Sequence, residues 1–160
     1  MRNFVGSAST VTATEKWLQA LQAGQCFARG NLLAASVGNL NQWQLKNPAA
    51  SGKTVLVRSF FITPGANNSI VISFFDTDLT TDVGAGINLL EGAAAGVAHL
   101  RTQQTAALVG TELFELSVLA TSPFVSPVEW FAQLGAGQGL VVQQNNANVL
   151  GQCGFLWLEQ

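Results

Sequence analysis

The side chains most able to do chemistry in this 160-residue chain are few and scattered. Asp76, Asp78 and Asp82 place three carboxylates within seven residues. A calcium site needs six to eight oxygens and often begins with such a cluster, yet no Glu follows at the EF-hand offset. His99 is the only histidine. Zinc with three or four protein ligands is not easily built from one His and the distant Cys26 and Cys153. A Ser-His-Asp triad through His99 lacks a Gly-x-Ser-x-Gly elbow to present the nucleophile. Glu112 and Glu115 resemble a glycosidase pair, but three positions apart on a strand they are expected on opposite faces. Asn47 to Thr54 ends in the Gly-Lys-Thr of a phosphate loop. That loop needs Gly at position 47 and must open a helix, whereas strand-forming residues follow Thr54. These residues support neither a catalytic site nor a cofactor or metal site, and the expectation is a non-enzyme.

The elements that must position these side chains read as mostly β. Thr12 and Glu15 match a capping box, Trp17, Leu18 and Leu21 follow at helical spacing, and Gly24 ends the short helix. Strands are expected over Leu40–Leu45, Thr54–Ile62, Ser69–Asp76, Glu112–Ala120, Val128–Leu134, Leu140–Gln144 and Val149–Glu159. Weaker ones lie near Ile87–Leu90 and Val97–Arg101. The turn Pro64–Asn68 suggests that Ser69–Asp76 returns as the partner of Thr54–Ile62, and Thr77–Gly86 reads as a loop. Short strands at this spacing indicate a sandwich or barrel. About eight of them suit a jelly roll. The expected architecture is an all-β, jelly-roll-like β-sandwich over residues 14–160. An extended N-terminal arm, residues 1–13, and one short N-terminal helix precede it. Trp43, Trp130 and Trp157 lie in apolar runs and are expected in the core. Cys26 and Cys153 are expected as buried free thiols, with a bridge open should their strands pair.

Composition narrows the function. Charged residues make up 10% of the chain, where about 25% is usual. Much of the polar remainder is Gln, Asn, Ser and Thr, which cost less to desolvate than ions. A subunit with large protein contacts is expected, forming a closed homo-oligomer, with a trimer the first choice. A net charge of −2 and seven scattered basic residues exclude a nucleic-acid stripe. No apolar run approaches a transmembrane helix, and the N-terminus lacks a signal-peptide stretch, so assembly in a cytoplasm is expected. Phe4, Val5 and Val11 on the arm and Trp17 on the helix are the expected interface residues.

Two stretches carry a resemblance. Leu45-Lys46-Asn47-Pro48-Ala49-Ala50-Ser51-Gly52-Lys53 is a turn leading into the strand Thr54-Val55-Leu56-Val57. Gly137-Gln138-Gly139-Leu140-Val141-Val142 and the terminal Gly154-Phe155-Leu156-Trp157-Leu158-Glu159-Gln160 form the second. In these the chain resembles small tailed-bacteriophage virion structural proteins of the jelly-roll cement (decoration) type. The resemblance implies a virion subunit, often trimeric, that bridges and stabilises the major capsid protein. The alternative is a tail, baseplate or receptor-binding module recognising a host-surface glycan, although the chain has no Tyr, the usual residue of adaptable binding surfaces.

Overall fold

The computed structural model describes residues 13–126 and 131–160. Among these residues one helix, α1 (Ala13–Gln22), is followed by twelve strands. They are β1 (Cys26–Leu33), β2 (Leu40–Lys46), β3 (Val55–Pro64), β4 (Asn68–Phe74), β5 (Thr81–Ala85) and β6 (Ile87–Asn88). The remainder are β7 (His99–Thr105), β8 (Thr111–Val118), β9 (Phe124–Val125), β10 (Ala132–Leu134), β11 (Gly139–Gln144) and β12 (Gly151–Glu159). The helix stops where expected. Gly24 has φ +67°, its N–H reaches Leu21 O, and the Gln25 N–H reaches Ala20 O. These two hydrogen bonds form the Schellman cap, which needs a residue free to adopt the left-handed region.

The strands form two antiparallel sheets. The first runs β10-β3-β12-β1-β6, with β9 also on β3, and the second runs β5-β7-β2-β11-β4-β8. With β9 and β10 taken as one interrupted strand, and β5 to β7 as an excursion, eight strands remain. They pair first with last (β1 with β12) and second with seventh (β2 with β11). Third pairs with sixth (β3 with β10) and fourth with fifth (β4 with β8). The β12–β3 and β11–β4 pairs close the two sheets. A hairpin of four strand pairs wound in this way is a jelly roll.

Expectations for the strand pairing and for the segment before residue 87 are corrected here. β3 and β4 are not partners, because β3 lies in the first sheet and β4 in the second. The Pro64–Asn68 turn carries the chain from one sheet to the other. The segment read as a loop before residue 87 also contains β5, an edge strand whose pairing with β7 is interrupted by a bulge between Asp82 and Gly84. β1, for which no strand was expected, is the eight-residue partner of β12.

The core lies between the sheets. Trp43, Leu45, Phe60, Ile62, Ile70, Ile72, Leu140, Phe155 and Trp157 are buried in one cluster. Their strand alternation sends every second residue inward. The indole N–H of Trp43 donates to Asn31 O at 3.1 Å, and that of Trp157 to Glu159 Oε1 at 3.0 Å. Both residues sit in the core as expected; Trp130 lies outside the described residues.

Candidate functional site

Lys46, Asp76, Asp78, Asp82 and Arg101 converge with His99 on one cleft of about 410 Å³. Lys46 ends β2 and pairs with His99 at the start of β7, while β5 brings Asp82 to the other side of β7. Lys46 Nζ donates to the carbonyls of Asp76 and Gly137 and lies 3.5 Å from Asp78 Oδ1. Arg101 donates from Nε to Leu79 O at 2.8 Å, and its Nη1 sits 3.4 Å from Asp78 and 3.6 Å from Asp82. His99 Nδ1 is 2.8 Å from Asp82 Oδ2.

Burial pushes the Asp82 carboxyl upward. The hydrogen bonds from His99 and the Gly84 N–H, with the charges of His99 and Arg101, outweigh it and hold the group below the usual carboxylate range. Asp78 and Asp82 are therefore matched to cations of the same chain, and Asp76 Oδ1 accepts from the Gly139 N–H. No group of three His, Cys, Asp or Glu among the described residues is arranged to hold a metal ion. His99 and Asp82 have the geometry of a base and its orienting acid. The described residues lining the cleft include no Ser, Thr or Cys to act as nucleophile.

The remaining motifs resolve as structure. Asn47 Nδ2 donates to Lys53 O and Leu134 O, which pins the Gly-Lys-Thr turn, and β3 rather than a helix follows it. Glu112 and Glu115 need a correction. A bulge in β8 sets Glu112 opposite Ser73 and Glu115 opposite Val71, so the two acids share the outward side after all. Opposed residues on paired strands share a face. Glu115 accepts from Ser69 Oγ and Asn145 Nδ2, and these bonds hold its carboxyl low. Cys26 and Cys153 are buried and free. Cys26 pairs with Leu158 and packs under the helix, whereas Cys153 pairs with Asn31 and points into the core. Five positions along the sheet, or about 16 Å at the strand rise, separate them, beyond any disulfide.

Phe4, Val5 and Val11 lie outside the described residues. Trp17 is half-buried on α1. With Ala20 and Leu21 it packs on Cys26, Leu56 and Leu158, and the Arg58 guanidinium stacks 4.4 Å above its ring. It anchors the helix to the outward face of the first sheet.

Beyond the helix no described element covers that face, and the strand register maps it. One row holds Ile87, Ala28, Leu156 and Ser59. The next holds Gly30, Gly154, Phe61 and Val125, and the third Leu32, Gln152 and Thr63. No charged side chain stands in these three rows. Leu32, Ile87 and Val125 are 59, 60 and 57% exposed. Phe61 lies flat across the two glycines. A Cβ on Gly154 would stand 2.5 Å from Phe61 Cε1, and one on Gly30 3.3 Å from its Cζ. The glycines thus form a floor that turns an aromatic side chain into part of a smooth surface. These residues went unnoticed in the sequence because Leu32 and Val125 sit on β1 and β9, strands too irregular to show an outward face.

Several of the amides are interior: Asn41, Gln42, Gln44, Asn47, Asn68, Gln143 and Gln144 are buried. Gln103 Nε2 donates to Gln42 Oε1 at 2.6 Å, Gln42 Nε2 to Gln143 Oε1 at 2.9 Å, and Gln143 Nε2 to Ser73 Oγ at 2.9 Å. Gln44 donates to Phe75 O and Thr77 O and accepts from the Leu79 N–H. Gln42, Gln44 and Gln143 are fully buried, clamping two loops onto the outer face of the second sheet.

Comparisons with protein families, curated proteins and solved structures return no match.

Proposed function

We propose that the chain is a structural subunit that works by packing against other proteins, and more specifically a virion cement subunit bridging major capsid proteins. The observation that carries this reading is the uncharged outward face of β1, β12, β3 and β9. Scattered exposed apolar residues are ordinary, but contiguous apolar patches mark interaction sites. Here the patch is regular, since three successive strand rows present it and a glycine floor keeps it flat. The resemblance supplies the capsid as the partner. The buried amide clamps keep the second sheet covered by its own loops and leave the first sheet as the open one.

A cement subunit acts by mass action. A protein binding only the assembled shell stabilises it by about 2.7 kcal/mol per site at a hundredfold excess over its dissociation constant. The test is thermal DNA release from particles with and without the protein. Release at a higher temperature when the protein is bound supports the role. Equal release temperatures reject it and favour the host-glycan module, with the Asp78–Arg101 cleft as the place to look for the sugar.

A further inference from the structure

The two edges of the first sheet are not alike. β1 pairs along all eight residues with β12, but on its other side β6 covers only Phe27 and Ala28. The parity of the strand shows which groups this leaves. The Leu89 N–H bonds Cys26 O on the β6 side, and the Glu159 N–H bonds Gln25 O on the β12 side. Backbone groups in a strand alternate sides, so those of Gly30 and Leu32 face the β6 side, past the end of β6. Among the described residues no strand lies beside them. An open edge of this kind is a template for another strand. Leu32, exposed on the outward side, offers an apolar contact next to it.

We propose that this edge is the seat of the segment Phe4–Val11 of a second copy, which adds as a strand to β1. Addition of an extended segment to an open sheet edge is a general recognition mode, with main-chain bonds giving affinity and alternate side chains specificity. The segment suits it. From Asn3 to Thr14 the chain carries no charge and is rich in Val, Ser and Thr, which matches the uncharged outward residues Ala28, Gly30 and Leu32 of β1, since Arg29 turns to the other side toward Val83 O and Ala85 O. Twelve residues extended span up to about 40 Å, ample to reach a neighbour.

The direction of α1 favours a second copy over the same chain. Trp17 lies beneath Arg58 of β3, and β12 stands between β3 and β1. α1 therefore begins on the β3 side of the sheet, two strand spacings or about 10 Å from the open edge. This inference rests on the reading of the chain as an assembly subunit and names how copies join.

The test is sedimentation of the isolated full chain beside two variants, Leu32→Pro and a deletion of residues 2–11. A proline whose N–H position faces away from the sheet is tolerated on an edge strand, so Leu32→Pro should keep the wild-type circular dichroism. The expected result is a wild-type oligomer at micromolar concentration, with both variants monomeric. Amide exchange at Gly30 and Leu32 should be slowed only in the oligomer. A monomeric wild type, or a deletion variant that assembles like it, overturns the proposal. So does slow exchange in a monomer, which would place the arm on its own chain. Should Leu32→Pro not fold, the deletion decides. A monomer that still raises particle stability overturns the arm exchange and leaves the cement role standing.

Discussion

Glu159 shows how much one side chain can hold. Its carboxylate is buried and accepts from the Val97 and Ala98 N–H groups and the Trp157 indole. Removing the acceptor strands buried donors, each costing about 1–3 kcal/mol. Glu159→Ala is expected to lose about 3–5 kcal/mol in urea unfolding, and Glu159→Gln clearly less, because an amide oxygen still accepts. A loss below about 1 kcal/mol for the alanine would refute the clamp. The cysteines give a second expectation. Burial raises the Cys26 thiol to about 11, with Arg58 partly opposing it, and raises Cys153 well above its ordinary value. Neither should react with a thiol reagent at pH 8 until the protein is unfolded, when both should. Rapid labelling of one in the native state would contradict this. Asp82 sets a pH dependence. Its folded carboxyl titrates below the unfolded one, so its contribution is present above the unfolded value of about 3.9. It is lost as pH falls through the folded value. Asp82→Asn should therefore narrow the stability difference between pH 6 and pH 3. The group is largely exposed, so solvent screening keeps the effect well under about 1 kcal/mol. An unchanged pH profile would contradict the His99 and Arg101 pairing. Of these residues Trp157 was legible in the sequence, as an indole inside an apolar strand, and so were Cys26 and Cys153 as buried free thiols. Glu159 read as a strand terminus, and its partners come from a loop about sixty positions away.

At the scale of elements, the sequence made the strand segments plain and their partnership obscure. Val55–Pro64 and Asn68–Phe74 are β-branched and aromatic, and the residues between them are turn formers. Turn chemistry reports a reversal of direction, but it carries no record of whether the second strand stays in the same sheet. The jelly roll sends it to the other one. β5 was hidden because Thr-Asp-Val-Gly-Ala is half polar and bulged at the point where Asp82 meets His99. The Glu112–Glu115 spacing misled for a related reason, since a bulge resets the two-residue period. Glutamine in a strand looks like a solvated face, so the clamps were invisible. Gln44→Leu keeps the size of the side chain and removes all three of its bonds to residues 75–79. Unsatisfied buried backbone groups cost about 1–3 kcal/mol each. The expected loss is about 2–4 kcal/mol, with the Leu79 amide exchanging much faster. Unaltered exchange at Leu79 would show that the loop is held by something else.

For the whole molecule, low charge has two consequences. Amides fill the interior of the covered sheet, where ions would be costly, and the open sheet presents three rows without a charge. Composition announced an unusual polar economy without saying which sheet would use it. In the Lys46–Arg101 cleft, Lys46, Asp78, Asp82, His99 and Arg101 pair with one another. If the open face is the contact, its strength comes from apolar burial, and salt screening should matter little. The decisive measurement is pelleting of the protein with particles that lack it, comparing Phe61→Asp/Val125→Asp with Asp78→Asn/Arg101→Gln at low and high salt. The face variant should bind at least tenfold more weakly, a loss of about 1.4 kcal/mol or more, while the cleft variant binds like the wild type and salt changes neither. Full binding by the face variant, with binding lost by the cleft variant or by salt, would contradict the account.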